Sequence, residues 1–365
     1  MTGREELYTN LQKPQIPALD GVRMIAVFLV IFYHFGFAAV PGARGVMMFF
    51  VLSGFLITWL LLKEHEKTGT ISLKGFYRRR TLRIFPAFYA FWLGIVALRL
   101  ATSTAVPWGQ AWSSFFYVSN YYSALNHHPE NIFSHTWSLA VEEQFYLLWP
   151  VLFLACRQNL RLMTSLLIGI MVCGTIHRTL LAYVFGVDQS YVYSAFDTRI
   201  DQLLTGCLLA VVLKRRALPR FWQAACGHQV APLVTILAFI VLMVAGRAFV
   251  PRYRDVLGFT LEPLLIAVFL AQVVALSKTR AWSWLNIAPV RFLGRISYSL
   301  YLYQQLTLYP VKRVLQDYPT AVQLLVALAV TIIVASLSYY VIERPFLQWK
   351  HRPSVPRAIP EPALV

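Results

Sequence analysis

The chain has 365 residues, of which 58% are hydrophobic and 13% are charged, and its formal net charge is +17. Soluble domains carry roughly 25% charged residues, so this composition argues against a soluble enzyme and for a polytopic membrane protein. A basic soluble protein would suggest a nucleic-acid partner. Here the basic residues lie mostly between apolar stretches, as the positive-inside rule expects. We therefore expect the lipid bilayer as a partner and no nucleic acid.

Apolar stretches along the chain predict the fold class, an all-α polytopic membrane protein built as a bundle of about ten transmembrane helices. At least eight stretches approach the roughly 18 residues that a bilayer span requires. A large apolar enzyme core is the alternative, and so many long stretches make it the weaker one. The predicted spans are 18–39, 44–62, 84–101, 138–155, 162–182, 197–213, 231–250, 256–276, 294–310 and 321–342.

The loops predict the orientation of the bundle. Basic residues are concentrated at 63–83, at 214–220 and from residue 344 onward. An even number of spans places these segments on one side, which predicts a multi-pass protein of the cytoplasmic (inner) membrane with both termini in the cytoplasm. Basic residues in two other loops depart from this rule: Arg247, Arg252, Arg254, Lys312 and Arg313.

The same pattern predicts the domain organisation. Residues 1–17 form a cytoplasmic N-terminal segment, and residues 18–345 form one transmembrane domain. The long outer loop, 102–135, leaves no room for a separate soluble domain. Residues 346–365 form a short cytoplasmic tail whose proline content predicts disorder.

The first span, "LDGVRMIAVFLVIFYHFG" at 19–36, contains an arginine and a histidine among apolar residues. Arg23 and His34 are eleven residues apart, so an α-helix places them on one face, separated by about 16 Å along its axis. Ionisable groups inside spans are costly and are therefore candidates for function. Arg23 could simply extend to the membrane surface. His34 could be a neutral packed histidine or a general base with a pKa tuned near neutrality.

The third span begins with clustered arginines, in "GFYRRRTLRIFPAFY" at 75–89. Arg79, Arg80 and Arg83 fall on one helix face because they are three and four residues apart. Guanidinium groups bind phosphate through paired hydrogen bonds, so this face is a candidate anchor for a phosphorylated ligand. Anchoring to anionic lipid is the alternative, and spacing alone does not separate the two.

Two further motifs place ionisable residues within spans. In "HTWSLAVEEQFYLLWP" at 135–150, Glu142 and Glu143 start a span, and His135 lies seven residues before Glu142 on the same face. A buried carboxylate can orient an imidazole or stabilise its charged form. In "RIDQLLTG" at 199–206, Arg199 and Asp201 could pair with each other or hold a polar ligand.

Several other chemistries find no support. His127 and His128 lie in the outer loop, where solvated histidines are expected, and a metal site would need a third ligand that cannot be placed. The surroundings of Ser53, "FVLSGF", do not fit a nucleophile elbow. No HExxH, Walker or GxGxxG motif occurs in the sequence. We therefore expect no bound metal and no tightly bound cofactor.

The motifs together resemble the integral-membrane acyltransferases known as acyltransferase family three, which O-acylate cell-surface polysaccharides, Nod factors, macrolides and similar acceptors. The resemblance runs from end to end, in family order, and two of its stretches are individually quite specific. The matching stretches are "LDGVRMIAVFLVIFYH", "GVMMFFVLSGFLI", "FYRRRTLRIFPAFY", "HTWSLAVEEQFYLLWP", "RIDQLLTG", "ISYSLYLY" and "YYVIERPF".

The resemblance implies residue roles. The family's arginine–histidine pair falls on Arg23 and His34, its RxxR falls on Arg80 and Arg83, and its WSLxVE acid falls on Glu142. Many members have a histidine, then a residue, then a proline in the ninth span, where this chain has Gln304 and Leu306. This departure puts an acceptor-site role for the position in doubt. Candidates for substrate contacts are Ser53, Arg199, Asp201 and Gln304.

The resemblance also implies a mechanism. Acyl-CoA, most often acetyl-CoA, would be the co-substrate, held through its phosphates by Arg23, Arg79, Arg80 and Arg83. His34 would act as general base or carry the acyl group itself, with Glu142 or Asp201 as its acidic partner. The acceptor would be a glycan or lipid-linked saccharide. The sequence ends soon after the tenth predicted span, so the fused SGNH esterase-like domain of some members is not expected.

Two other functions are alternatives to acyl transfer. A transporter or exporter of an acylated or glycan-type substrate could use His34 and the embedded acids as a proton relay. It would predict inverted repeats and paired broken helices, and no internal repeat is seen in the sequence. A purely structural membrane protein leaves the clustered arginines and the buried histidine unexplained.

Overall fold

The computed structural model describes residues 3–13, 15–217 and 226–349. Within these residues 81% are helical and no strand occurs, which confirms the all-α prediction. The α-helices of the described residues are α1 (Gly3–Gln12), α2 (Pro17–Phe35), α3 (Gly42–Thr68), α4 (Leu73–Ala101), α5 (Trp108–Phe115), α6 (Ser119–Leu125), α7 (Thr136–Cys156), α8 (Leu160–Thr179), α9 (Gln189–Ser194), α10 (Phe196–Lys214), α11 (Ala231–Phe249), α12 (Phe259–Leu276), α13 (Ala288–Arg295), α14 (Ser297–Val314), α15 (Thr320–Ser338) and α16 (Arg344–Trp349). Single turns of π-helix follow α8 and α15 and precede α12.

Eight helical segments of the described chain are long and apolar enough to cross a membrane. They confirm a multi-pass membrane protein, but they do not confirm about ten spans. The predicted spans at 197–213 and 294–310 form α10 and α14. Both helices are too polar to be counted among the segments that are apolar enough to cross a membrane. Most of their polar residues are buried against other helices. The eight segments are Pro17–Phe35, Gly42–Thr68, Leu73–Ala101, Thr136–Cys156, Leu160–Val184, Ala231–Phe249, Arg254–Leu276 and Thr320–Trp349.

The ends of the chain were predicted as a short leading segment and a proline-rich tail. In the leading segment, α1 packs against α12, and the Asn10 side chain donates a hydrogen bond of 2.9 Å to the Val274 carbonyl. In the tail, the described residues end at Trp349 in α16. The rest of the predicted tail, 350–365, lies outside the described residues.

The first span, α2, has clear boundary residues. Pro17 lies in the first turn, where its missing N–H is not needed. Gly36 follows with a φ of 122° and bonds its N–H to the carbonyls of Phe32 and Tyr33, which ends the helix. As predicted, Arg23 and His34 lie near opposite ends of one continuous helix.

Helices α3 and α10 approach so closely that their glycines touch the partner's backbone. A Cβ added at Gly54 would lie 1.9 Å from the Leu203 carbonyl oxygen, and one at Gly206 would lie 2.0 Å from that of Val51. Small residues at such crossings let membrane helices gain van der Waals contact that lipid cannot supply. This contact holds α10 in the centre of the bundle.

We expect Gly206→Ala to lower the free energy of unfolding, because the new methyl group must push α3 and α10 apart. Overpacking of this kind costs about 1–3 kcal/mol. Thermal unfolding of the purified protein in detergent measures the effect. The matched control is Gly94→Ala in α4, where an added Cβ meets nothing within 4 Å. Equal melting temperatures for the two variants would contradict the close-contact interpretation.

Two buried ion pairs connect the helices around this centre. Arg44 of α3 donates two hydrogen bonds to Glu262 of α12, at 2.9 and 3.0 Å. Arg178 of α8 pairs with Asp201 of α10 at 2.7 Å, and Thr260 of α12 hydrogen-bonds both residues. Because each charge is paired, part of the cost of removing these groups from water is offset.

Candidate functional site

A large cavity opens beside the C-terminal end of α2. It has a volume of about 1010 Å³ and is lined by residues of α2, α3, α4, α11 and α14 and by the segment from His128 to Trp137. We call it the histidine cavity, because His34, His128 and His135 all line it. His34 was predicted to be functional, and His135 was predicted to share a helix face with Glu142. Spacing along the chain does not predict that the three histidines meet, because they come from a helix and a distant loop.

His34 is held by a glutamine of α14. Its Nδ1 lies 3.1 Å from Oε1 of Gln304, and that glutamine side chain is fully buried. With the amide oxygen facing the ring, Nδ1 carries the proton and donates a hydrogen bond to Oε1 of Gln304. The Nε2 atom then keeps a lone pair and can accept a proton from a hydroxyl group. The position where this chain departs from the family pattern is therefore in direct contact with the predicted base.

The second histidine, His135, faces an oxygen atom with each ring nitrogen. Its Nε2 lies 3.1 Å from the Leu302 carbonyl oxygen, and its Nδ1 lies 3.1 Å from Oε1 of Gln305. Both ring nitrogens therefore lie at hydrogen-bonding distance from α14, which makes His135 a fixed part of the cavity wall rather than a base.

The third histidine, His128, comes from the outer loop that was expected to be solvated. Its Nδ1 lies 3.0 Å from Oγ of Ser194, and burial lowers the pKa of this imidazole below its usual value. Its neighbour His127 does match the expectation, since it is exposed and lies 3.2 Å from Asp188. His128 is therefore neutral at pH 7 and contributes hydrogen bonding rather than charge.

Glu142 does not contact His34, so the expected carboxylate–imidazole pair is not formed. Its Oε1 accepts a 2.6 Å hydrogen bond from Ser53, which in turn accepts one of 3.0 Å from Tyr146. The reason is that Glu142 and His34 lie at different depths in the bundle. Helix α7 starts at the histidine cavity, and seven residues carry Glu142 about 10 Å further along its axis. Asp201, the other predicted partner, is bonded to Arg178 instead.

Arg23, Arg80 and Arg83 come together at the other end of α2, and we call them the arginine cluster. Arg23 interacts electrostatically with Arg83, Arg80 and Asp20. Arg80 lies over the Tyr146 ring, 5.2 Å from its centroid. No carboxylate lies within 4 Å of any of the three in the part of the chain that is described, so these guanidinium groups are free to bind an anion. Glu142 acts electrostatically on the same cluster.

The predicted fourth member, Arg79, lies differently. It forms a 2.8 Å ion pair with Glu64 and is partly exposed. Two arginines that were not predicted as site residues lie near the cluster instead. Arg291 and Arg295 of α13 interact electrostatically with Asp20, and α13 packs tightly on α2, since Gly294 lies against the Asp20 carbonyl. The charge of this short helix was visible in the sequence, but nothing there placed it beside α2.

The remaining candidates for substrate contacts do not line the histidine cavity. Arg199 is fully buried behind its wall, surrounded by the rings of Phe50, Trp137, Tyr193 and Phe259, with its carbon Cζ 3.9 Å from the Phe259 ring centroid. It does not pair with Asp201. Ser53 lies with Glu142 near the arginine cluster. A substrate role for these three residues stays a prediction.

Sequence comparison places the chain among membrane acyltransferases. A family model described as an acyltransferase domain, acyltransferase family three, matches residues 16–340. The peptidoglycan O-acetyltransferase OatA of Listeria monocytogenes is 35% identical over 362 residues, covering 92% of this chain and 56% of that protein. The putative peptidoglycan O-acetyltransferase YrhL of Bacillus subtilis is 32% identical, covering 90% of this chain and 54% of its own length.

A putative O-acetyltransferase of Staphylococcus aureus is also similar, at 34% identity over 93% of this chain and 58% of that protein. The chain therefore spans about half the length of these curated relatives. No solved structure matches it significantly.

Proposed function

The chain belongs to acyltransferase family three, and from that premise we propose that it transfers an acyl group, most often acetyl, from acyl-CoA to a hydroxyl group of a cell-surface glycan. The relatives' names support O-acetylation of such a glycan. Peptidoglycan or a lipid-linked saccharide precursor is the acceptor class that we propose. The enzyme would act in the inner membrane with both termini in the cytoplasm.

The single observation that carries this proposal is the arrangement along α2. The arginine cluster lies at one end of the helix, and His34 lies at the other end, in a cavity large enough for a saccharide. The separation of Arg23 and His34 along the axis is about 16 Å. A pantetheine arm reaches about 15–20 Å when extended. Phosphates held by the cluster would thus let the thioester reach the histidine cavity.

The transfer itself would use the free Nε2 of His34. This nitrogen takes the proton of the acceptor hydroxyl while the oxygen attacks the thioester carbonyl carbon. The C–S bond breaks, and the departing CoA sulfur takes the proton back from the imidazolium. Gln304 would hold the ring in the required tautomer throughout. In the alternative route, Nε2 attacks the thioester first, the C–S bond breaks and the CoA thiolate leaves. The acceptor hydroxyl then takes the acyl group from the histidine, and its proton passes to the thiolate.

The direct test uses the purified protein in nanodiscs with radiolabelled acetyl-CoA and short peptidoglycan fragments or lipid-linked saccharide. We expect label to appear on the saccharide in step with the release of free CoA. Mass spectrometry of the product would locate the ester. Saccharide movement without any acyl transfer or CoA release would instead support a transporter.

We expect Gln304→Met to lower kcat about tenfold, because the ring of His34 loses the acceptor that fixes its proton on Nδ1. The KM for acyl-CoA should not change, since Gln304 lies far from the arginine cluster. Gln304→His restores a hydrogen-bonding partner and should recover part of the activity. Initial rates at varied acyl-CoA concentration measure both parameters. An unchanged kcat for Gln304→Met would contradict the positioning role.

A further inference from the structure

Three of the five basic residues that depart from the positive-inside rule line the histidine cavity. Arg247 of α11, Arg254 of the π-helical turn before α12 and Arg313 of α14 come from separate segments of the sequence. Arg44 and Arg99 line the cavity as well. One acid, Glu130, is found among the cavity-lining residues that are described. The five arginines therefore form one cationic surface around the predicted base.

These arginines differ in how far their charge is compensated. Arg44 is bonded to Glu262, and Arg254 lies 3.0 Å from Asp255. Arg247 and Arg313 have no carboxylate within 4 Å in the described segments, and both are exposed to the cavity side. Two cavity-lining guanidinium groups with spare donors suit an anion better than a neutral sugar, because a neutral sugar would leave their charge unmatched.

The cationic surface continues beyond the cavity. A second hollow of about 660 Å³ adjoins it and shares Gln189, Arg247 and Arg254 with it. Arg252 also lines this hollow and lies 3.7 Å from Asp255. The cationic surface of the cavity therefore extends into this hollow through Arg247 and Arg254, where Asp255 offsets part of the charge. Such surfaces raise the local concentration of anions and guide them inward.

We propose that the histidine cavity binds an acidic saccharide, a sugar bearing a carboxylate or phosphate group, with Arg247 and Arg313 holding the anion and the reacting hydroxyl directed at His34. Arg254 supports the same group from the second hollow. This inference rests on the proposed acyl transfer, and it names the chemical class of the acceptor. Guanidinium groups recognise both anions through paired hydrogen bonds, so the two are one binding chemistry.

The test compares matched acceptors with the full chain in nanodiscs. The first acceptor is an oligosaccharide with a free sugar carboxylate, the second is the same compound with that carboxylate converted to a methylamide, and the third carries a phosphate instead. We expect the KM of the acidic forms to be at least tenfold below that of the amide, and the preference to weaken with added salt. Whichever acidic form has the lower KM identifies the anion. Equal use of acid and amide overturns the proposal.

Variants then assign the anion to named residues. Arg247→Gln combined with Arg313→Gln should raise the KM of the acidic acceptor about tenfold while leaving the KM of the amide and of acetyl-CoA unchanged. The control for net charge is Arg161→Gln, an exposed arginine at the start of α8, which should change neither. A double variant that still prefers the acidic acceptor overturns the assignment.

A binding measurement separates this proposal from the proposed function. Calorimetric titration of the acid and the amide without acetyl-CoA reports the anion site alone. If the acid binds more tightly but no acyl transfer occurs with any acceptor, the anion site stands and the proposed reaction fails. If acyl transfer occurs equally well to the amide, the reaction stands and the anion site fails.

Discussion

Replacing His34 with alanine is expected to lower kcat for acyl transfer by about a thousandfold, because a positioned general base contributes roughly 10²–10⁴-fold to such reactions. Nε2 of His34 has no hydrogen-bond partner among the described residues, and its other ring nitrogen is held by Gln304. Binding of acyl-CoA at the arginine cluster should persist. Transfer of the labelled acetyl group to the saccharide measures kcat, and a separate binding assay measures the affinity for acyl-CoA.

The control for this variant is His127→Ala. His127 is exposed on the outer loop and pairs with Asp188, away from the cavity lining. The His127→Ala variant should retain full activity, and it reports any general effect of losing a histidine from the outer loop. Unchanged turnover in a folded His34→Ala protein would show that the proton is removed by another group.

The second large effect is expected at the arginine cluster. Arg83→Ala should raise the KM for acyl-CoA about 10- to 100-fold, since a charge-assisted hydrogen bond to phosphate contributes roughly 1.5–3 kcal/mol. The kcat at saturating acyl-CoA should change far less, because the cluster lies about 16 Å from the reacting atoms along α2. The matched control is Arg78→Ala, an exposed arginine on the same helix that bonds the Trp349 carbonyl at 3.3 Å.

A substrate without phosphates makes this test sharper. Acetyl-pantetheine carries the thioester but not the nucleotide phosphates, so the wild type should use it poorly and Arg83→Ala should not weaken its use further. The two proteins should then differ with acetyl-CoA and agree with acetyl-pantetheine. If Arg83→Ala impaired both donors equally, the phosphate role would be wrong and the residue would serve the structure of α4.

Periodicity along one helix predicted the relation of Arg23 to His34 correctly, because both residues lie on a single regular element. It could not predict relations between helices. Glu142 was paired with His34 from chemistry alone, yet the depth of each residue in the bundle separates them and places Glu142 with the arginine cluster. Gln304 was recognised as a departure from the family pattern, and its contact with His34 depends on how α14 packs on α2.

Mean hydropathy does not identify α10 and α14 as membrane spans. The helices α10 and α14 contain the polar residues that the bundle encloses, so their composition resembles that of soluble segments even though they pack centrally. The sequence still predicted helices at both places, because apolar residues continue on either side of the polar ones. The arginines of the histidine cavity were seen as exceptions to a topological rule, and their common surface appears once the fold is known.

The central position of α10 also bears on how the protein is made. A helix whose first six residues include Asp197, Arg199 and Asp201 is poorly suited to lipid, since ionisable groups within a span are costly. Its two main partners, α3 and α8, precede it along the chain, so Arg178 and three of the four rings beside Arg199 have already been synthesised when α10 leaves the ribosome. We infer that α10 enters the bilayer against these waiting helices rather than alone. Helix α12 follows later and completes the surroundings of α10 with Phe259 and Thr260.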